Sequence, residues 1–130
     1  MIDLTDSTGS RYEIVGSYAR GRRVGDHVYV SGSGAVDPDG AIQHPGDMHG
    51  QAVYTFAKIA ATLERLGASM ADVVRTRAYF ADIALAEEYV RAHGETFAGI
   101  LPAATGVEAR LAVPGMLVEI DVDAIVRPPA

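Results

Sequence analysis

A carboxylate on a β-strand can act as a general base when the strand turns it away from the core, and Glu119 is placed that way. In the run Leu117-Val118-Glu119-Ile120-Asp121-Val122 apolar residues alternate with others. Val118 and Ile120 therefore share one face and Glu119 takes the opposite one. If that face meets another subunit, burial raises the carboxyl pKa towards the range useful for moving protons. Tyr18 offers a phenol that can donate to a ligand or a water. Arg20 lies two residues on, on the same face of an extended segment, and its guanidinium can hold a carboxylate through two parallel hydrogen bonds. Ser31 and Gly32 fall at a strand end, where backbone N–H and C=O groups become available to a ligand. His93 lies on an apolar helical face and reads as a packed, hydrogen-bonded histidine. His44 and His49 flank a Pro-Gly turn near Asp47 without metal-ligand spacing, so no metal site is expected. The absence of cysteine excludes disulfides, thiolate metal sites and a cysteine nucleophile. No P-loop, dinucleotide fingerprint or nucleophile elbow occurs, and no cofactor is expected.

The elements that must hold these groups follow from pattern and punctuation. Arg11 to Val15 alternates weakly and is read as a first strand. Tyr18 to Val24 is read as a second, closed by the turn at Gly25 and Asp26. Val28 to Val30 forms a third, and Asp37-Pro38-Asp39-Gly40 is strong turn chemistry. Asp47 can cap a helix that runs to about Leu66, with Val53, Phe56, Ala60 and Leu63 as its apolar stripe and Gly67 after its end. Val73 to Phe80 is a strand with Arg75 and Arg77 on one face, opposite Val74, Thr76 and Ala78. Ala84 to about Ala98 is a second helix. Thr105 to Leu111 and Leu117 to Val126 are two further strands. Strand runs interrupted by two helices imply an α+β domain with a mixed sheet and both helices on one face. The other face is expected to carry apolar residues that association of several sheets into a closed barrel would cover.

With 130 residues there is room for one domain, and 48% hydrophobic with 22% charged residues is ordinary for a globular chain. No window is long and apolar enough for a membrane span, and Met1 to Ser10 has neither the basic nor the apolar region of a signal peptide. A cytoplasmic protein is the expectation. The net charge of −6 argues against a nucleic-acid partner. The one basic cluster, Arg20, Arg22 and Arg23, is read as an exposed strand edge.

Four segments carry a resemblance. Val30 to Gly40 (VSGSGAVDPDG), Leu66 to Thr76 (LGASMADVVRT), Pro102 to Glu108 (PAATGVE) and Leu117 to Ile120 (LVEI) occur in the order and at roughly the spacing of the RidA/YjgF family, over about residues 18–126. The resemblance implies a chorismate-mutase-like fold and a homotrimer. Three sheets would form a central barrel, with small-molecule clefts between subunits. It also implies hydrolysis of enamines and imines to a ketoacid and ammonia, although older descriptions call members endoribonucleases. In that frame Glu119 matches the glutamate assigned to the attacking water and Tyr18 the tyrosine of the cleft. The family's substrate-clamping arginine falls at Ala104, its cysteine at Gly106, and a cleft asparagine at Val90. A methyl group cannot replace a guanidinium, so the cleft is expected to be larger and more apolar, and ordinary 2-iminoacid deamination is not expected. Arg110 lies too far along the strand to substitute, which leaves Arg20 as the better candidate.

Two classes of function follow. One is a Glu119-assisted hydrolase, deaminase-like, acting on an imine, enamine or related reactive metabolite. The other is a non-catalytic trimer that binds a small molecule or a partner. A ribonuclease ranks last, since no histidine pair stands at hydrolytic spacing in an acidic chain.

Overall fold

A computed structural model describes residues 1–128 of the chain. Among these, six strands form one sheet: β1 Asp3–Asp6, β2 Gly21–Val24, β3 His27–Ser33, β4 Val73–Phe80, β5 Ala103–Glu108 and β6 Val118–Ile125. The helices are α1 Arg11–Gly16, α2 Met48–Arg65 and α3 Ala86–Phe97. The strand order is β1-β2-β3-β6-β4-β5, antiparallel throughout except for the parallel β4–β5 pair. This is the expected mixed α+β sheet.

Helix α2 begins where Asp47 accepts the Gly50 N–H at 2.9 Å. It ends where Gly67 takes a φ of 79° and its N–H bonds Glu64 O. Its buried stripe is Met48, Ala52, Phe56, Ile59 and Leu63, rotated from the expected one: Val53 is exposed. This stripe and Tyr89, Ala92 and Phe97 of α3 pack on Val28, Val30, Val73, Ala78, Phe80, Val118, Ile120 and Val122 of the sheet. Each such aliphatic side chain stabilises the fold by about 1.5–3 kcal/mol when fully buried. α2 and α3 thus cover one face, as the sequence pattern implies.

Four expectations fail. Arg11 to Val15 is helical, because Ser10 accepts the Glu13 N–H while the Glu13 carboxylate takes the Thr8 N–H and the Ser10 hydroxyl. This is close to a capping box, and it outweighs a weak alternation. The outermost strand is instead Asp3–Asp6, and only Gly21 to Val24 of the expected second strand pairs. The outer face of the central strands is polar: Arg77 bonds Asp121 at 2.7 Å and Asp123 at 3.1 Å, and the Tyr79 hydroxyl donates to Asp121 at 3.0 Å. A register shift between Val73 and Arg75 also removes Val74 from the face of Thr76 and Ala78.

The basic cluster separates into three roles. Arg22 is exposed and pairs with Asp3 at 2.8 Å. Arg23 is buried, and its Nη1 donates to Leu66 O at 2.8 Å and Gly67 O at 3.3 Å. It closes the carbonyl end of α2, where the helix dipole favours a cation. Arg20 belongs to the site below. No helix among the described residues is long and apolar enough to cross a membrane.

Arg23→Ala leaves the α2 carbonyls buried without a donor. It is expected to cost about 2 kcal/mol, the scale of a hydrogen bond to a charged group, read as a lower urea midpoint at unchanged slope.

Candidate functional site

The site starts from a fault in β3. Its pairing with β6 runs Val30↔Val122 and then Ser33↔Ile120, so the register shifts between them. Gly32 lies in the shifted segment. A Cβ there would stand 2.8 Å from Glu119 Oε1, so only glycine lets the carboxylate settle against the strand. Arg20 reaches the same point from the lead into β2, its Nη1 donating to Gly32 O at 3.0 Å. Its guanidinium carbon lies 5.6 Å from the centroid of the Tyr18 ring, a cation–π distance. Ser31 fixes the segment: its hydroxyl donates to Ala19 O at 2.7 Å and its N–H to Arg20 O at 2.9 Å. The Ser31 N–H and the carbonyls of Ser31 and Gly32, expected to be available to a ligand, are therefore engaged by the chain itself. Tyr18, Arg20, Ser31, Gly32 and Glu119 gather on the outer side of the sheet.

Glu119 is half-buried, opposite Tyr79 on β4. No hydrogen bond or ion pair to its carboxylate occurs among the described residues. Burial pushes the carboxyl above its ordinary value; Arg20 opposes this and Asp121 adds to it. A base held there is ready to take a proton nearer neutrality than a free carboxylate.

Lys58 of α2 was missed from the sequence. Its Nζ donates to Gly34 O at 2.8 Å and Val36 O at 2.9 Å, holding the chain that leaves β3. Burial lowers its pKa, repulsion from Arg20 lowers it further, and Asp37 opposes both. The signal was present: Gln51, Thr55, Lys58 and Thr62 recur at helical spacing and form a polar seam along α2. Gln51, fully buried, bonds Gly115 O and the Leu117 N–H and so anchors the start of β6.

The remaining site residues lie elsewhere on the chain. Ala104 pairs in parallel register with Thr76 and Gly106 with Ala78, which puts both on the helix-bearing face, opposite Glu119. A Cβ at Gly106 would meet Phe80 Cε2 at 2.8 Å, so Phe80 itself accounts for the glycine. Val90 projects from α3 and is 62% exposed. Arg110 lies beyond the end of β5, on the wall of a depression of about 480 Å³ with Glu108, Leu111 and Met116. A second depression of about 600 Å³ is bounded by Thr5, Glu13, Tyr18, Tyr29 and Ser31, beside the Arg20 cluster. His93 bonds Thr76 Oγ1 at 2.9 Å among Phe56, Tyr89 and Phe97, a packed histidine whose burial lowers its pKa. His49 pairs with Glu95 at 3.1 Å, and no metal-ligating cluster occurs among the described residues.

The family model described as endoribonuclease L-PSP matches residues 8–126. A structure of a member of the YjgF/YER057c/UK114 family from Mycobacterium tuberculosis is 35% identical, with a TM-score of 0.86 over 96% of this chain and all of that one. The chain belongs to the RidA/YjgF family. A RutC family protein of Saccharolobus solfataricus is 32% identical over 83% of this chain and 86% of its own. The YjgF gene product of E. coli is 26% identical, with a TM-score of 0.81 over 95% of this chain and 99% of that one.

The raised Glu119 pKa has a consequence for stability. The folded chain binds more protons than the unfolded one just above the ordinary carboxylate range, so stability falls as pH rises through that window. Glu119→Gln removes the effect. The variant is expected to exceed wild type in urea midpoint at neutral pH, with the gap closing in acid. A neutral-pH midpoint at or below wild type would contradict the assigned burial.

Proposed function

We propose that this protein is a RidA-type hydrolase of a small imine or enamine, working as a homotrimer. Its site would join the Glu119 group of one copy to the Ala104, Gly106 and Val90 wall of the next. The observation that carries the reading is the half-buried Glu119 carboxylate, without a hydrogen-bond or ion-pair partner among the described residues and flanked by Gly32 and Arg20. The placement of the two groups on opposite faces of one sheet supports a site between copies, since a single chain cannot close one around both.

The chemistry asks little of such a site. The Glu119 carboxylate accepts a proton from water as the water oxygen bonds the imine carbon. The Tyr18 hydroxyl donates to the imine nitrogen and supports the charge developing there. Glu119 returns that proton to the nitrogen to give the carbinolamine. The carbinol O–H proton then passes to the nitrogen by way of the same carboxylate as the carbon–nitrogen bond breaks, so that ammonia leaves, the carbonyl forms and Glu119 is again a carboxylate. Ala104 supplies no clamp from β5, which argues against an ordinary 2-iminoacid held through its carboxylate by that strand: losing one partner of a charged contact costs roughly 2–5 kcal/mol.

Turnover is read as ammonia released from imines that an amino-acid oxidase generates in situ. Glu119→Gln is expected to lower it by about 10²–10⁴-fold, the usual scale for a general base, with assembly unchanged. Wild type is expected to act poorly on aminoacrylate, and Ala104→Arg to improve it. Turnover indifferent to Glu119→Gln would favour a non-catalytic binding trimer. Sedimentation at low concentration should give three times the 13.7 kDa chain mass; a monomer would remove the shared cleft.

A further inference from the structure

Resting on that reading, we infer that the anion clamp of this site has moved to Arg20. The substrate is then a carboxylate-bearing imine or enamine with a bulky apolar side chain. Its carboxylate lies on the Glu119 side of the cleft and its apolar part against Ala104, Gly106 and Val90 of the neighbouring copy.

Arg20 is an incompletely satisfied cation. Its Nη1 bonds one backbone carbonyl, Gly32 O, and it has no carboxylate partner in an ion pair among the described residues. Its Nε is buried with no acceptor among the described residues. Nη2 has no acceptor among these residues either, and the guanidinium is near enough to Glu119 to oppose the rise of its pKa. Buried donors are ordinarily matched, and those of the buried Arg23 are, by α2 carbonyls; Arg22 meets Asp3 and Arg77 meets Asp121 and Asp123, while Arg75 of β4 is exposed.

Lys58 makes the case from the opposite direction. It is half-buried, fixed to Gly34 O and Val36 O, and near enough to Arg20 for the two charges to repel. The two cations are tied to alternate carbonyls from the end of β3 onward, Arg20 to that of Gly32 and Lys58 to those of Gly34 and Val36. Carboxylates lie within electrostatic reach of both, Asp37 of Lys58 and Glu119 and Glu13 of Arg20, but none makes an ion pair with either cation among the described residues. A carboxylate relieves that repulsion, and a planar guanidinium suits it best. The apolar wall at Ala104 and Val90 then has an occupant on the same molecule: the clamp and the wall take opposite ends of one substrate.

The test is binding, which needs no turnover. Three product-like ligands are titrated calorimetrically into the assembled protein: α-ketoisocaproate, pyruvate, and the neutral methyl isobutyl ketone. Wild type should bind α-ketoisocaproate most tightly, pyruvate more weakly for want of an apolar tail, and the ketone most weakly of all. Arg20→Gln keeps a donor for Gly32 O but removes the charge, and should weaken α-ketoisocaproate by about 10- to 100-fold, the range of a hydrogen bond to a charged group, while leaving the ketone unchanged. Arg20→Lys should fall between. Glu119→Gln should keep α-ketoisocaproate binding or improve it, since it removes a neighbouring negative charge. The inference is overturned if wild type binds none of the three, if it binds the ketone as tightly as the ketoacid, or if Arg20→Gln binds the ketoacid like wild type. Should both Arg20 variants fail to assemble, the wild-type ranking of ketoacid against ketone decides. Binding that follows this order while Glu119→Gln leaves turnover untouched would sink the hydrolase and leave the clamp standing.

Discussion

Between Val30 and Ser33 the third strand slips its register against β6, and the outer face near Glu119 is arranged around that slip. A bulge leaves backbone groups outside the regular ladder and re-aims the residues beside it. Here it turns the Gly32 carbonyl to Arg20, and the missing side chain at Gly32 lets the Glu119 carboxylate lie against the strand. A side chain at residue 32 would displace the carboxylate. One local irregularity thus sets the position of a base and of a cation together. The regular part of the sheet, covered by α2 and α3, supplies the rigidity that makes such a placement reproducible.

Rigid support reaches the site from the helix side too. The buried Gln51 amide ties α2 to Gly115 and Leu117, just ahead of Glu119. Lys58, two turns further along the same helix, ties α2 to Gly34 and Val36, just after Gly32. Both are polar groups in a buried setting, each tolerable because its donors meet backbone carbonyls. The two strands that carry the site are therefore pinned at their ends by one helix.

Much of this was legible in the residues. The alternation through Val118, Glu119 and Ile120 gave the direction of the base, and Asp47 and Gly67 marked both ends of α2. The misreadings have physical causes. Ser10 and Glu13 exchange hydrogen bonds that stabilise a short helix, and a pattern count over five residues does not weigh them. The bulges in β3 and β4 break the strict period of two on which face assignment depends. Lys58 escaped notice because a lysine on an amphipathic helix is read as solvated, although its spacing from Gln51, Thr55 and Thr62 placed it in a polar seam. That Glu119 and Ala104 lie on opposite faces follows only from the parallel pairing of β4 with β5, which no local pattern reveals.

Strand β5 is exposed at every one of its positions and is bonded along one edge only, to β4. A strand in that condition is a template: its outward amides and carbonyls can accept any extended segment that drifts past. A newly folded chain is therefore at its most adhesive before anything covers this edge. The same nakedness makes β5 a reporter. Its outward amides should trade hydrogen for deuterium early in a free chain and late in a covered one, so the exchange of Ala103 to Glu108 would time the covering of the sheet edge independently of any measurement of mass or activity.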